Sequence, residues 1–246
     1  MFQDKPYWVV NREERFYCAL FAHAVLSSPK CRAGVVNWAR QRFDVDFDPE
    51  EIEVYLEVAA LRDYWSDLGD PVRYDSETHR RRRAVLDVIL ASRGVASDTI
   101  DAEALFWTSG VGSKLWSPGR WNLERIEAAG LDALKPVRWA FNAKPDILIM
   151  SPSGAIVFEA KVESGTGRDQ KAGYDQLEIQ RLITQLWAEL IPVFSRMPVY
   201  LTTLLLKPGP GVGMCWMEVL DFVDNDEVDH FTKTCLARLA KYRSSA

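Results

Sequence analysis

The sequence predicts an α/β protein of the α+β kind, with a helical N-terminal region followed by a mixed sheet flanked by helices. Amphipathic helical patterns dominate residues 1–100, short β-rich segments begin near residue 137, and a long helical pattern divides the later strands. The 246 residues, of which 48% are apolar and 26% charged, suffice for one sizeable core. We therefore expect one compact unit, with a helical region at 1–105 whose first helix joins a core at 106–246.

The bulk properties exclude several classes of protein. No segment is apolar for long enough to cross a bilayer, and the N-terminus does not resemble a secretory signal, so we expect a cytoplasmic protein with no membrane partner. The 4 cysteines lack CxxC spacing, which argues against a zinc site or a disulfide framework. The net charge of −5 does not favour a protein that coats nucleic acid, but a local basic groove would still permit DNA binding.

The N-terminal region reads as a series of helices. The first begins after Asn11, a favourable N-cap, and carries a regular apolar face. Further helical patterns cover residues 33–43, 49–68 and 77–92. Residues 102–135 are irregular and contain serine, glycine and proline clusters, which predicts long connections around a short helix.

The remainder of the chain predicts an αβββαββα succession in which the first helix is the N-terminal one. Its β-rich segments are short and bounded by turn residues, whereas its helical segments are longer and amphipathic. The predicted strands are 137–141, 145–150, 155–162, 198–206 and 214–222, and the predicted helices are 174–190 and 226–242.

A tight turn at residues 151–154 brings charged side chains together. The sequence Ser-Pro-Ser-Gly suits a type I turn, and a hairpin closed there places Asp146 opposite Glu159. Side-chain alternation puts Lys161 on the same sheet face as Glu159, and a slip of two residues would keep all three on that face. The opposite face is predicted to be uniformly apolar, with Ile147, Ile149, Ile156, Phe158, Ala160 and Val162.

Two carboxylates on directly opposed strand positions repel each other unless a cation compensates. Mg²⁺, or Mn²⁺ in its place, suits such a site because it takes hard oxygen ligands and is held by one or two carboxylates together with substrate phosphate. Asp146 and Glu159 would be the ligands, and Lys161 would orient the nucleophile or stabilise the transition state. The competing interpretation is a solvated sheet face with a cross-strand ion pair.

The order Pro145-Asp146, 12 residues, then Glu159-Ala160-Lys161 resembles the signature of the PD-(D/E)XK nuclease superfamily. The resemblance implies a restriction-endonuclease-like αβββαβ core, with the Asp on its second strand and the ExK motif on its third. It also implies metal ligation at Asp146, Glu159 and Ala160, catalysis by Lys161, and often a glutamate from the preceding helix.

Two further pairs of residues complete the candidate site. On a helical wheel Glu13 falls within the apolar face of the first helix and Glu14 at its margin, so both are catalytic candidates and Glu13 is the favoured additional metal ligand. Acidic residues are also common at helix N-termini for dipole reasons alone. Gln176 and Gln180 lie four apart on one side of a later helix, where related nucleases often direct polar residues toward the metal or substrate.

The expected activity is that of a Mg²⁺- or Mn²⁺-dependent deoxyribonuclease, with DNA as the partner and RNA as a possible substrate. A role in a restriction, antiphage-defence, transposition or repair system would suit it, with a protein partner or a second copy of the chain. The alternative is a module that retains the nuclease fold and binds nucleic acid or a partner without cleaving. The intact Asp146, Glu159 and Lys161 argue against that alternative.

Two other features carry charge. The run at residues 79–83 contains four consecutive arginines, but its helical pattern with nearby acids is typical of a solvated face. Aromatic and cationic residues also alternate, as in a surface that stacks single-stranded bases, although tryptophans in a connecting segment more often fill a core. These residues are Trp107, Lys114, Trp116, Arg120 and Trp121.

Overall fold

The computed structural model describes six parts of the chain, and they form two compact units. The described residues are 13–69, 75–97, 115–162, 168–169, 174–206 and 213–241. The sheet unit comprises 1–58, 145–167 and 197–246, and the helical unit comprises 59–144 and 168–196. Each unit therefore combines segments that are distant in sequence. The predicted boundary between residues 105 and 106 lies outside the described residues, as does Asn11.

The structure has a mixed α/β composition. The described helices are α1 (Glu14–Ser27), α2 (Pro29–Phe43), α3 (Ala60–Asp67), α4 (Ser76–Ser92), α5 (Leu123–Ala128), α6 (Lys135–Asn142), α7 (Gln176–Leu190), α8 (Trp216–Val223) and α9 (His230–Lys241). The described strands are β1 (Glu53–Leu56), β2 (Ile147–Ser151), β3 (Gly154–Ala160), β4 (Arg168–Asp169), β5 (Tyr174–Asp175), β6 (Val199–Leu205) and β7 (Met214–Cys215). None of the described helices is both long enough and apolar enough to span a membrane.

The sheet unit is built on a mixed sheet of five strands in the order β1-β2-β3-β6-β7. Strands β1, β2 and β3 are antiparallel neighbours, whereas β6 runs parallel to β3 and β7 parallel to β6. In the hairpin Ser151 pairs with Gly154 and Leu148 with Val157. The predicted register is therefore confirmed, without a two-residue slip.

The apolar face of the hairpin forms the core of the sheet unit. All six residues predicted for that face are buried in one hydrophobic cluster that also contains residues of α1, α2, α8 and α9. Phe158 makes an edge-to-face contact with Phe21 and stacks on Trp38, with ring centroids 6.5 and 5.7 Å apart respectively. The junction of the two N-terminal helices is well capped, because the Ser28 hydroxyl accepts a hydrogen bond from the Cys31 amide. The contacts of Phe21 and Trp38 with Phe158 hold α1 and α2 against the sheet.

The helix predicted over residues 49–68 is wrong in its first half. Asp48 caps only a short 3₁₀ turn at Pro49–Glu51, and Glu53–Leu56 then forms strand β1, which pairs with β2. Helix α3 begins later, at Ala60. The backbone N–H and C=O groups of β1 form hydrogen bonds with those of β2, and this long-range pairing overrides the local helical pattern.

Two segments that were predicted to be strands are instead largely helical. Residues 137–141 belong to helix α6, which buries Val137, Ala140 and Phe141 at helical spacing and has a proline in its first turn. Residues 214–222 form a two-residue strand followed by α8, where the Glu218 carboxylate accepts a hydrogen bond from the Cys215 amide at 2.7 Å. Both segments are short and rich in aromatic residues, for which apolar content alone does not separate helix from strand.

Candidate functional site

The charged end of the β2–β3 hairpin is fixed by strands on both sides. The Glu57 amide donates to the Asp146 carbonyl at 3.2 Å, and the Val58 amide donates to the Pro145 carbonyl at 3.3 Å. On the other side of the hairpin, just after the C-terminal end of β3, the Lys161 amide donates to the Leu204 carbonyl at 2.9 Å. The backbone that carries Asp146 and Lys161 is therefore held on its outer sides by β1 and β6.

The ammonium group of Lys161 is surrounded by oxygen atoms. Its Nζ lies 2.7 Å from Oε1 of Glu159, 2.9 Å from the carbonyl oxygen of Ala160 and 3.1 Å from Oε2 of Glu14. The Glu159 side chain is 1% exposed and that of Lys161 12%. Helix α1 and strand β3 thus direct two carboxylates and one carbonyl toward a single cationic atom.

Asp146 is held at the same end of the hairpin by a different contact. Its Oδ2 accepts a hydrogen bond from the Ala160 amide at 2.7 Å. Burial, followed by the negative charge of Glu159, raises the pKa of Asp146 to about 7, and the hydrogen bond from Ala160 only partly offsets these effects. The surroundings of Asp146 therefore disfavour a negative charge on its carboxyl group.

The negative charges of the cluster also affect the pKa of Lys161. Burial by itself lowers the pKa of Lys161, but the charges of Glu159, Glu14 and Asp146 outweigh it, so the pKa of the ammonium group is raised overall. Lys161 is therefore protonated, and its positive charge compensates part of the negative charge of the neighbouring carboxylates.

The structure brings Glu14, and not Glu13, to Lys161. Helix α1 begins at Glu14, so Glu13 is the N-cap residue with extended backbone, and its side chain is 63% exposed. The helical-wheel position predicted for Glu13 is wrong because the residue lies outside the helix. The predicted apolar face of α1 is otherwise present, since Tyr17, Leu20 and Ala24 are buried.

The remaining predicted site residues lie on α7 of the helical unit. Gln176 is the first residue of that helix, and Gln180, one turn later, is 2% exposed. The capping residue Asp175 accepts hydrogen bonds from the amides of Leu177 and Glu178, which fixes the beginning of the helix. A role for Gln176 and Gln180 in catalysis stays a prediction.

Two residues near the charged cluster were missed by sequence reasoning. Glu57 follows β1 with φ of 53°, in the left-handed region that residues other than glycine seldom adopt, and its carboxylate lies 3.2 Å from Nε of Arg15. Cys18 lies one turn after Glu14, and burial, with the charges of Asp146 and Glu14, raises the pKa of its thiol. The predicted helix over 49–68 concealed Glu57, whereas the spacing from Glu14 to Cys18 was readable.

The donor set suits a hard divalent cation in its chemistry. Carboxylate and carbonyl oxygens are the ligands that Mg²⁺ and Mn²⁺ accept, and the protonated Cys18 thiol adds no soft ligand. Within the described part of the chain, no group of three or more His, Cys, Asp or Glu side chains is arranged to hold a metal ion. The Lys161 ammonium group stands among the oxygens, so metal binding requires it to release Glu159 or Glu14.

Comparison of the chain with protein-family models, with curated proteins and with solved structures gives no match.

Proposed function

We propose that this chain is a metal-dependent nuclease that hydrolyses phosphodiester bonds in DNA, with its site at Glu14, Asp146, Glu159 and Lys161. The observation that carries the proposal is the convergence of the Glu159 and Glu14 carboxylates and the Ala160 carbonyl on one cationic atom, next to Asp146. Once Lys161 releases one of these carboxylates, the arrangement would offer oxygen ligands to a divalent cation, and that cation and Lys161 together would bind a phosphate group.

The charge balance of the cluster supports a divalent cation as the missing component. Three ionised carboxylates and one ammonium group leave two formal negative charges, and burial together with the charge of Glu159 raises the pKa of Asp146. A divalent cation neutralises the remainder and removes the repulsion between Asp146 and Glu159.

Asp146, Glu159 and the Ala160 carbonyl would hold the metal, with Glu14 in support. When bound, the metal supplies a water of lowered pKa and stabilises negative charge on the phosphate. The residues of the chain perform the remaining tasks. The buried Glu159 is fixed in place, and Lys161 holds a positive charge where it can orient the attacking water or stabilise the transition state.

The assignment of a nuclease-like core to the sheet unit is part of the same proposal. We assign β1, β2, β3 and β6 with α1 to a restriction-endonuclease-like core, in agreement with the PD-(D/E)XK resemblance. The assignment is supported by the ExK motif at the end of β3, the acidic residue in the first turn of α1 and the parallel pairing of β6 with β3. DNA is the proposed partner.

The decisive experiment is a cleavage assay on plasmid, linear double-stranded DNA, single-stranded DNA and RNA with Mg²⁺, Mn²⁺ or EDTA. We expect DNA cleavage with either metal, none in EDTA, and none with Asp146→Ala or Lys161→Ala. The control variants Asp63→Ala and Lys30→Ala remove exposed charges elsewhere and should retain activity. Cleavage that survives both site variants would refute the site. DNA binding without cleavage under any condition would favour the non-cleaving module.

A further inference from the structure

The helical unit contains a cavity of about 270 Å³, separate in sequence from the carboxylate cluster. This volume lies just below the range of about 300–1,000 Å³ that is typical of small-molecule sites, so the cavity suits a small ligand such as one ring system with its substituents. The polar and aromatic side chains that line it include Arg62, Trp65, Arg82, Trp116, Arg120 and Asn142.

The charge of the lining is one-sided. Three arginines line the cavity, and among the described residues that line it there is no aspartate or glutamate. This contrasts with the net charge of −5 for the whole chain. Arg62 has an acidic neighbour, Asp63, at 3.7 Å, but both side chains are more than half exposed. A concentration of guanidinium groups without lining acids favours an anionic ligand, and guanidinium groups bind phosphate oxygens in pairs.

The lining is also aromatic. The Arg120 guanidinium lies 4.5 Å from the centroid of the Trp116 ring, and the buried Arg82 guanidinium lies 5.6 Å from that of Trp65. Each pair places a flat cationic group over an indole ring. Trp65 and Arg82 are each only 3% exposed, so the surface on which a nucleobase can stack while its phosphate is held is the pair Trp116 and Arg120.

A polar amide completes the set. Nδ2 of Asn142 donates to the carbonyls of Gly119 and Arg138 at 2.8 and 2.9 Å. Both hydrogen bonds fix the orientation of the amide, and its Oδ1 atom is an acceptor suited to an exocyclic amine of a base. Trp116 and Arg120 belong to the aromatic and cationic alternation noted in the sequence, whereas Trp121 is a buried residue, 1% exposed.

We propose that this cavity binds one nucleotide unit, its base stacked on the planes of Trp116 and Arg120 and its phosphate held by Arg62 and Arg120. The buried Arg82 guanidinium donates to the carbonyls of Leu115 and Gly69 and adds positive charge behind the site. The unit can be a free nucleoside monophosphate or one unpaired nucleotide of a single strand, since the recognised chemistry is the same. This inference does not depend on the reaction at the carboxylate cluster.

Isothermal titration calorimetry on the full chain in EDTA tests the proposal. The probes are adenosine monophosphate, adenosine, inorganic phosphate and a short single-stranded oligonucleotide. We expect the monophosphate or the oligonucleotide to bind more tightly than adenosine or phosphate alone. Binding of both marks a site for free nucleotide, and binding of the oligonucleotide alone marks a site for a strand.

Variants locate the site. Arg120→Ala and Trp116→Ala should each weaken binding by about tenfold, whereas Trp116→Phe retains a stacking surface and should retain most of the affinity. Arg80→Ala removes an exposed arginine of the same unit that pairs with Glu77 outside the cavity, and should bind normally. Thermal unfolding verifies that each variant is folded.

The proposal is overturned if neither nucleotide nor oligonucleotide binds, if phosphate binds as tightly as the nucleotide, or if Arg120→Ala leaves binding unchanged. Nucleotide binding in a chain that never cleaves DNA would refute the proposed nuclease function and leave this inference standing.

Discussion

The ammonium nitrogen of Lys161 lies 2.7 Å from Oε1 of Glu159, a side chain that is only 1% exposed. A buried carboxylate depends strongly on its counter-ion, because it cannot be compensated by water. The stability of the protein and the activity proposed for the cluster therefore depend on which cation neutralises these carboxylates.

Lys161→Met should destabilise the protein in EDTA by about 3–5 kcal/mol, since it leaves the buried Glu159 charge without its ion pair. Mg²⁺ should recover part of this loss, by about 2.7 kcal/mol at a hundred times its Kd, because it replaces the missing cation. Urea unfolding with and without Mg²⁺ measures both effects. Lys30→Met, which removes an exposed pair at 3.9 Å, is the control. A variant with no response to Mg²⁺ would contradict metal binding at this cluster.

Asp146→Asn should stabilise the metal-free protein above neutral pH. The pKa of Asp146 is raised from 3.8 to about 7 in the folded chain, so the folded state binds this proton more tightly than the unfolded state. Its contribution to stability is fully present below pH 4 and is lost as the pH rises toward 7.

The asparagine variant has no such loss. It should be more stable than the wild type at pH 8, by on the order of 2 kcal/mol, with a smaller difference at pH 5. Unfolding in EDTA at the two pH values tests this. An equal effect at both would show that the carboxyl group does not titrate in this window.

Glu14→Gln should reduce cleavage at least tenfold, because it removes a charge that lies 3.1 Å from Lys161. The adjacent variant Glu13→Gln alters a side chain that is 63% exposed and should leave the rate close to that of the wild type. Initial rates of plasmid cleavage compare the two. A larger loss of activity in Glu13→Gln than in Glu14→Gln would support the helical-wheel prediction that Glu13 is the additional metal ligand.

Trp216→Phe should cost about 1 kcal/mol more than Trp187→Phe. The Trp216 indole donates to the Lys161 carbonyl at 3.2 Å, whereas the indole N–H of Trp187 has no acceptor among the described residues. Both side chains are at most 1% exposed, so the loss of packing is comparable. Chemical denaturation gives the difference. Equal costs would mean that the hydrogen bond to Lys161 contributes nothing net.

The sequence predicted the site-bearing hairpin in full because the determinants of the hairpin are local. The turn at residues 151–154 and the alternation on either side of it define the pairing of Leu148 with Val157 without reference to the rest of the chain. Strand β1 could not be predicted in this way. Its partner, β2, lies some ninety residues later in the chain, and the intervening helical patterns give no indication of the pairing.

The choice between Glu13 and Glu14 failed for a related reason. A helical wheel gives directions only for residues inside the helix, and the beginning of a helix is uncertain by one or two positions from sequence alone. Helix α1 begins one residue too late for Glu13 to face the sheet.

The β2–β3 hairpin and its extension to Lys161 also have a consequence for folding. The two repelling carboxylates and Lys161, which compensates one of them, lie within one short-range element. We expect this element to form early, because closing it costs little chain entropy. Glu14 joins only when α1 docks from the distant N-terminal segment. A partly folded chain therefore holds one formal negative charge at the hairpin and lacks its full donor set, and the proposed hydrolysis should begin only once the tertiary structure is complete.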